Sequence, residues 1–469
     1  MNSTTDNQDQ KNVKRITIIV ALTASFCGAY ILSAVNVALP VMGEQFTMSS
    51  VTLGWVNTSI LMTSAILLVP IGRLGDIYGR KRIFIWGLII LFLGTLLCGL
   101  ANSAAIIIIS RIVQGIGSAG VVGNIVAIIT SIFPGEERGK AIGLNVSAVY
   151  AGLAAGPFLG GVFTQQFGWR SIFYFGAFLA ALSLILTLVK LKGDWREAKG
   201  EKVDPVGSIL FVVSLGVLIY GFTSLPLASG FILLASGLVG LILFALYERR
   251  VKSPMLNISI LGRNKVFIFS NLSTVIFYSA VNSVGFLISL YLQYIQQYSP
   301  QRAGMVLLVS PVIMTIIAPF AGFLSDKFPA QVIAAIGMGI SLVTMAFLSL
   351  LNESSGLVLI IVLMVLYGMA SAFFSSPNSN AVMGAVGKRF LGIAAGGLGT
   401  ARTVGMVLSM GVVMILFTIL MGGTQISPEV YPAFLDTMKT SFIIFAILSL
   451  VGIFTQLVGR KQKISYDRG

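Results

Sequence analysis

Fourteen long apolar stretches, set apart by short polar segments, run along this chain of 469 residues. They fall near residues 16–40, 52–73, 83–101, 105–132, 139–163, 171–190, 206–225, 229–248, 266–291, 303–325, 330–350, 356–378, 391–420 and 438–458. A helix of roughly 20 apolar residues crosses the hydrocarbon core of a bilayer. Inside lipid only helices and closed barrels satisfy every backbone N–H and C=O. The runs lack the two-residue alternation of barrel strands, so they predict membrane helices. Charged residues make up only 10% of the chain, against about 25% in soluble domains, too few to cover a water-facing surface of this size. The first run begins at Ile16 and exceeds the roughly 7–15 apolar residues of a cleavable signal, so it reads as a retained first helix.

The formal net charge is +15, which raises the question of a nucleic-acid partner, since basic stripes bind phosphate. Membrane topology gives another account, because Lys and Arg collect in cytoplasmic loops. With the N-terminus inside, 26 of the 31 Lys and Arg residues fall on the cytoplasmic side. Three, Arg170, Arg302 and Lys439, fall outside, and Arg111 and Arg402 lie within spans. This asymmetry predicts that both termini are cytoplasmic and that no nucleic acid is bound.

Histidine is absent, and the two cysteines, Cys27 and Cys98, sit in apolar runs. No metal site, disulfide framework or cofactor is expected from them. The chain has no zinc-protease or phosphate-loop signature, so no enzyme activity is expected either.

An internal echo divides the chain. VPIGRLGD at 69–76 returns as APFAGFLSD at 318–326, which places Gly72 and Asp76 opposite Gly322 and Asp326, 250 residues on. Such symmetry marks carriers built from two repeated halves. The expected organisation is an N-terminal tail (1–15), a six-helix bundle (16–191), a polar linker (192–205), two extra helices (206–248), a second linker (249–265), a C-terminal six-helix bundle (266–458) and a tail (459–469).

The motifs sharpen this. GRLGDIYGRKR, from Gly72 to Arg82, resembles the signature loop of the major facilitator superfamily, G-x-x-x-D-(R/K)-x-G-R-(R/K), with Ile77 departing from its basic position. The Arg111, Gln114, Gly115 and Gly117 run resembles its R-x-x-Q-G motif. AGLAAGPFLGG carries Gly152, Gly156 and Gly160 on one helix face beside Pro157 and Gly161. It resembles G-x-x-x-G-P-x-x-G-G, the motif of that superfamily's exporters; the glycines admit a close neighbour and the proline favours a kink. SAVNVALP at 33–40, LGWVNTSILM from Leu53, FGWRSIF, and FLISLYLQYIQQYSPQRAGMVLLVSP are similar to the fourteen-span drug:proton antiporter family. The resemblance spans nearly the whole chain. It implies an all-α integral membrane fold of two six-helix bundles plus two central helices. It also implies an exporter of small organic or toxic compounds in the plasma membrane of a prokaryote, with the lipid bilayer around it and no second subunit required.

Two positions depart from that family. Its acidic residue in the first span aligns with Ile31, and its usual Asn in the sixth with Gly176. All sixteen acidic residues fall in loops, tails or at span ends. A proton carrier normally uses an intramembrane carboxylate or histidine, so protons stand only as one candidate coupling ion, with Glu44 or Asp76 as edge carboxylates that could serve. Two cations within spans and no carboxylate beside them favour an anionic or zwitterionic solute.

The residues expected in gating or coupling are Asp76, Arg80, Arg111, Gly156, Pro157, Asp326 and Arg402. The resemblance implies a cavity between spans 1, 4, 9 and 12, with Asn36, Gln114, Tyr278, Asn282, Tyr367 and Phe373 as lining candidates. For Arg111, burial against neighbouring helices and snorkelling to an interface both remain open. Uptake of a metabolite or anion, and a sensor that moves nothing, are the competing functions.

Overall fold

The computed structural model describes residues 2–133, 135–191, 193–198, 200–251, 264–386 and 391–458. Most of the expected 249–265 linker and all of the 459–469 tail lie outside the described residues. Among the described residues fourteen helices are long and apolar enough to cross a membrane, as the apolar runs predict. They are α1 (Asn2–Gln45), α2 (Ser50–Tyr78), α3 (Arg80–Leu100), α4 (Ala104–Ile132), α5 (Gly135–Phe167), α6 (Arg170–Lys190), α7 (Pro205–Thr223) and α8 (Ala228–Glu248). After these come α9 (Lys265–Ile295), α10 (Pro300–Lys327), α11 (Ala330–Leu348), α12 (Leu357–Gly384), α13 (Leu391–Met421) and α14 (Tyr431–Val458).

Most helices run past the apolar runs by a turn, because polar residues extend a helix that the bilayer does not require. The clearest case is α1, which begins at Asn2, so the helix continues through the polar residues before Ile16. Capping side chains set several other starts. Ser49, Ser103, Asp204, Asn264 and Ser299 each accept a bond from a first-turn N–H, which satisfies one of the orphan donors at a helix start.

The same packing pattern appears twice. In the N-terminal bundle α1 packs on α5 and α6, α4 on α2 and α3, and α3 on α6. In the C-terminal bundle α9 packs on α13 and α14, α12 on α10 and α11, and α11 on α14. Each helix therefore matches the one eight positions later, as the Asp76/Asp326 echo requires. The bundles meet along two equivalent seams, α5 against α10 and α2 against α13. The extra helices α7 and α8 pack on each other, and α7 lies over the α2/α13 seam. There Tyr220 faces Trp55 with ring centroids 5.9 Å apart, and Phe222 sits where a Cβ on Gly411 would be, 2.7 Å away.

Glycine sets how near the helices come. On α5, a Cβ at Gly152 would meet Phe26 O at 2.5 Å, one at Gly156 the Ser33 Oγ at 1.9 Å, and one at Gly160 the Ala34 O at 2.9 Å. The i, i+4, i+8 glycine face thus receives α1. Its neighbour Gly161 receives α10 instead, with Pro300 O 2.6 Å from the position of a Cβ, while a Cβ on Gly304 would lie 2.1 Å from Pro157 O. A side chain at Gly304 must therefore push α10 off α5. We expect Gly304→Leu to loosen this seam. In a Gln301→Cys background, labelling by a membrane-impermeant maleimide should rise several-fold, with little background because Cys27 and Cys98 are buried.

Candidate functional site

The two ends of the bundle differ in chemistry. At the end bearing the α2–α3 loop, Arg80 is 5% exposed and gathers a cluster around it. Its Nη2 is 2.7 Å from Asp76 Oδ1, one turn back, and its Nε donates to the same oxygen. Its Nη1 donates to Ala127 O at 3.1 Å, Ser131 Oγ at 2.7 Å and Glu197 Oε1 at 2.8 Å. Arg80 thereby ties α2, α3 and α4 to the polar segment after α6. That segment is strapped on further by Arg80 N to Trp195 O, Ala198 N to Asp76 O, Lys81 N to Asp194 Oδ1, and the Arg73–Glu201 ion pair. Gly79 has φ +120, and a Cβ there would strike the Asp194 carboxylate, so glycine is required both for backbone shape and for space. The expected linker at 192–205 therefore docks on the signature loop in its described part.

The echo is incomplete. Asp326 is exposed, and among the described residues it makes no ion pair; Ala330 stands where an Arg80 equivalent would be. Its neighbour Ser325 accepts from Asn380 Nδ2 at 2.7 Å.

Inside the N-terminal bundle Arg111 is fully buried, which settles its alternatives in favour of burial. Its Nε donates to Val56 O at 2.9 Å, Nη1 to Gln114 Oε1 at 3.0 Å, and Nη2 to Asn57 Oδ1 at 3.5 Å. Gln114 passes the network to Thr95 Oγ1 at 2.9 Å, and Asn57 passes it to Asn36 Oδ1 at 2.6 Å. Neutral dipoles surround this cation, with no carboxylate among them. Gln114, expected to line the cavity, is fully buried and serves this network. The two departures from the family pattern touch one another: a Cβ on Gly176 would lie 3.0 Å from Ile31 Cγ1 and 3.2 Å from Thr95 Cγ2. An apolar contact occupies the place where the family resemblance implies an acid and an amide.

At the end opposite the Arg80 cluster, hydrogen bonds join the bundles. Pro40 on α1 lacks an N–H for the carbonyl of Asn36, four residues back. Ser289 Oγ of α9 donates to that carbonyl at 2.6 Å. Gln293 Nε2 donates to Val37 O at 3.0 Å and Tyr294 OH to Pro40 O at 3.3 Å. Gln301 N donates to Gln165 Oε1, and Ser50 N to Thr424 O. This latch closes the bundle interface at that end. Among the described residues no hydrogen bond joins the bundles at the Arg80 end. Sequence reading missed Ser289, Gln293 and Tyr294, although Pro40 in a helix was a signal that a carbonyl stood free.

At mid-depth four side chains from both bundles meet. Tyr278 OH is 3.1 Å from Ser375 Oγ, the Arg402 guanidinium lies 5.2 Å from the Tyr278 ring centre, and Tyr150 of α5 faces Ser375, Tyr278 and Arg402. Tyr150 and Ser375 had no motif to point to them. Asn282 sits at a break in α9, where its Nδ2 donates to Met406 O at 3.3 Å and the next residue, Ser283, bonds Ser409. Tyr367 OH donates to Val281 O at 3.1 Å. Phe373 packs edge-on against the exposed Phe320 and joins none of these hydrogen bonds. Asn36, half-buried, lies on the α1–α9 interface.

Losing Arg111 would leave the buried Gln114 Oε1 and Asn57 Oδ1 without their guanidinium donor. We expect Arg111→Leu to cost about 1–3 kcal/mol in unfolding experiments in detergent. Arg111→Lys should recover only part of this, because a compact ammonium lacks the planar fork whose arms reach three separated acceptors.

Comparison with known proteins agrees with this architecture. The family model described as Major Facilitator Superfamily matches residues 21–410. The riboflavin transporter RibZ of Clostridioides difficile is 30% identical over 391 residues, 83% of this chain and 85% of that protein. The multidrug resistance protein Stp of Mycobacterium tuberculosis is 30% identical over 404 residues, 83% of this chain and 74% of that protein. Among solved structures, the human organic anion transporter MFSD10 (TETRAN) superposes with a TM-score of 0.64 at 14% identity, covering 95% of this chain and 99% of that one. This multi-pass membrane protein, with its two repeated bundles and fourteen helices, belongs to the Major Facilitator Superfamily of transporters.

Proposed function

We propose that the chain is a secondary active exporter of small organic or toxic compounds, working by alternating access in the plasma membrane of a prokaryote. The Arg80 end faces the cytoplasm, as does each terminus, because the basic residues gather there. The observation that carries the reading is the position of the α5 glycines. The stretch from Gly152 to Gly161 lies where α1 and α10 pack backbone-close on α5, beside the latch. Opening the latch requires α10 to leave Gly161, while the α1–α5 contact through Gly156 holds the N-terminal bundle together. Pro157, Gly156 and Asp76–Arg80 then act in gating, and the substrate passes between the bundles. The likeness to Stp, whose name speaks of multidrug resistance, supports the reading.

Proton coupling would have to use an edge carboxylate such as Glu44 or Asp76, since the described spans carry no acid in their middle. The likeness to RibZ favours one alternative, a carrier for a vitamin-like metabolite. Direction of flux separates the two.

Inverted membrane vesicles test both. Given a transmembrane ion gradient, wild-type vesicles should accumulate at least one compound from a panel of antibiotics, dyes and riboflavin. Asp76→Asn and Arg80→Ala should reduce initial rates about tenfold with protein levels unchanged. Accumulation only in right-side-out vesicles would replace export with uptake, and equal behaviour of wild type and both variants across the panel would remove transport through this gate. A second measurement addresses coupling: repeating the assay between pH 6 and 8 should leave the rate nearly flat if no carboxylate titrates in the cycle, and a steep loss in Glu44→Gln would assign the proton to that edge.

A further inference from the structure

Two guanidinium groups lie within the spans, and their surroundings differ. Arg111 has three acceptors within the N-terminal bundle. Arg402 makes no ion pair and no hydrogen bond among the described residues, and its Nε is buried. Its near neighbour is the Tyr278 ring; the Ser375 hydroxyl bonds the hydroxyl of that tyrosine, and Tyr150 lies within electrostatic reach of Arg402. A cation in a span costs several kcal/mol unless it finds partners, and an aromatic face offsets only about 0.5–2 kcal/mol of that. Helix packing holds the group in place. One turn on, a Cβ at Gly405 would meet Val275 O at 2.5 Å and Tyr278 Cβ at 2.9 Å, so α13 is pressed onto α9 with Arg402 fixed over the ring.

We propose that Arg402, with Tyr150, Ser375 and Tyr278, forms an anion site that takes the carboxylate, sulfonate or phosphate group of a small organic substrate between the two bundles. The planar fork of five N–H donors on arginine matches such groups, and the hydroxyl groups add donors beside it. Tyr150 belongs to the N-terminal bundle and the other three to the C-terminal bundle, so a bound anion is gripped by both and the site comes apart as they separate. The adjoining tyrosine ring suits an aromatic body on the same solute. The assignment of a substrate rests on the export reading above; the anion site itself does not.

Full-length protein in detergent would be titrated with fluorescein, an aromatic carboxylate, and with rhodamine 123, a cationic ester on the same ring system. Wild type should bind fluorescein at least tenfold more tightly than rhodamine 123. Arg402→Gln should weaken fluorescein at least tenfold and change rhodamine 123 less than twofold, with thermal stability measured alongside. Arg402→Lys should be intermediate, and Tyr150→Phe and Ser375→Ala should each weaken fluorescein a few-fold. Absence of saturable fluorescein binding, or equal loss of both probes in Arg402→Gln, overturns the proposal. Loss of all fluorescein binding on exchanging gluconate for chloride at equal ionic strength overturns it too, in favour of a halide site. Inverted vesicles separate the two readings. Arg402-dependent binding without accumulation of either probe leaves the anion site standing and counts against export, whereas rhodamine 123 accumulation with fluorescein binding unchanged in Arg402→Gln does the reverse.

Discussion

The arrangement of the two bundles depends on a carbonyl that has lost its helical partner. Pro40 removes the donor that Asn36 O would use, and Ser289 from the other bundle supplies one. Gln293 and Tyr294 add bonds to two further carbonyls on α1, those of Val37 and Pro40. A helix kept intact would offer α9 only side chains there; a helix interrupted by proline offers backbone acceptors fixed in position. Such a contact is specific in register, yet each bond contributes only about 0.5–1.5 kcal/mol net. A handful of them can hold one end of the molecule shut and still release it at modest cost, which is the energy scale that a two-state carrier requires.

Close packing and charge then divide the labour. The N-terminal bundle is built around Arg111, which organises α2 and α4 through neutral acceptors, and around glycines that bring α1 and α4 against their neighbours. Gly117 and Gly87 show how tight this is: a Cβ on Gly117 would meet Leu91 N at 2.3 Å, and one on Gly87 the Gly120 backbone at 2.8 Å. The Arg80 cluster does the same at the membrane edge, where its acidic partners remain partly in water. Asp76 is 32% exposed and Glu197 is 66% exposed, so these ion pairs are worth far less than buried ones and can break as the loop moves.

Much of this was legible in the sequence, for identifiable reasons. Spans are long and apolar because the bilayer demands it, so their number and order followed directly. The Asp76/Asp326 spacing foretold the repeat, because homologous helices keep their length. The glycines at 152, 156 and 160 foretold a close neighbour, because only absence of a side chain permits it. What the sequence hid were pairings set by tertiary contact. Nothing local marks Glu197 as the partner of Arg80, or Tyr150 as the neighbour of Arg402 from the other bundle. The echo at Asp326 is partial: the motif repeats, but Ala330 stands at the position that corresponds to Arg80. The bond from Arg111 to Gln114 was hidden as well, because a glutamine in a span can line a cavity or satisfy a buried arginine, and spacing does not separate those roles.

The extra helices give the molecule an asymmetry that its internal repeat would otherwise forbid. The two seams are equivalent in construction, but α7 covers the α2/α13 seam, whereas among the described residues no helix from outside the two bundles covers the α5/α10 seam. Viewed from the bilayer, one flank is walled and the other meets lipid directly. On that bare flank Pro157, Gly161 and Gly304 bring α5 and α10 backbone to backbone, with no side chain between them.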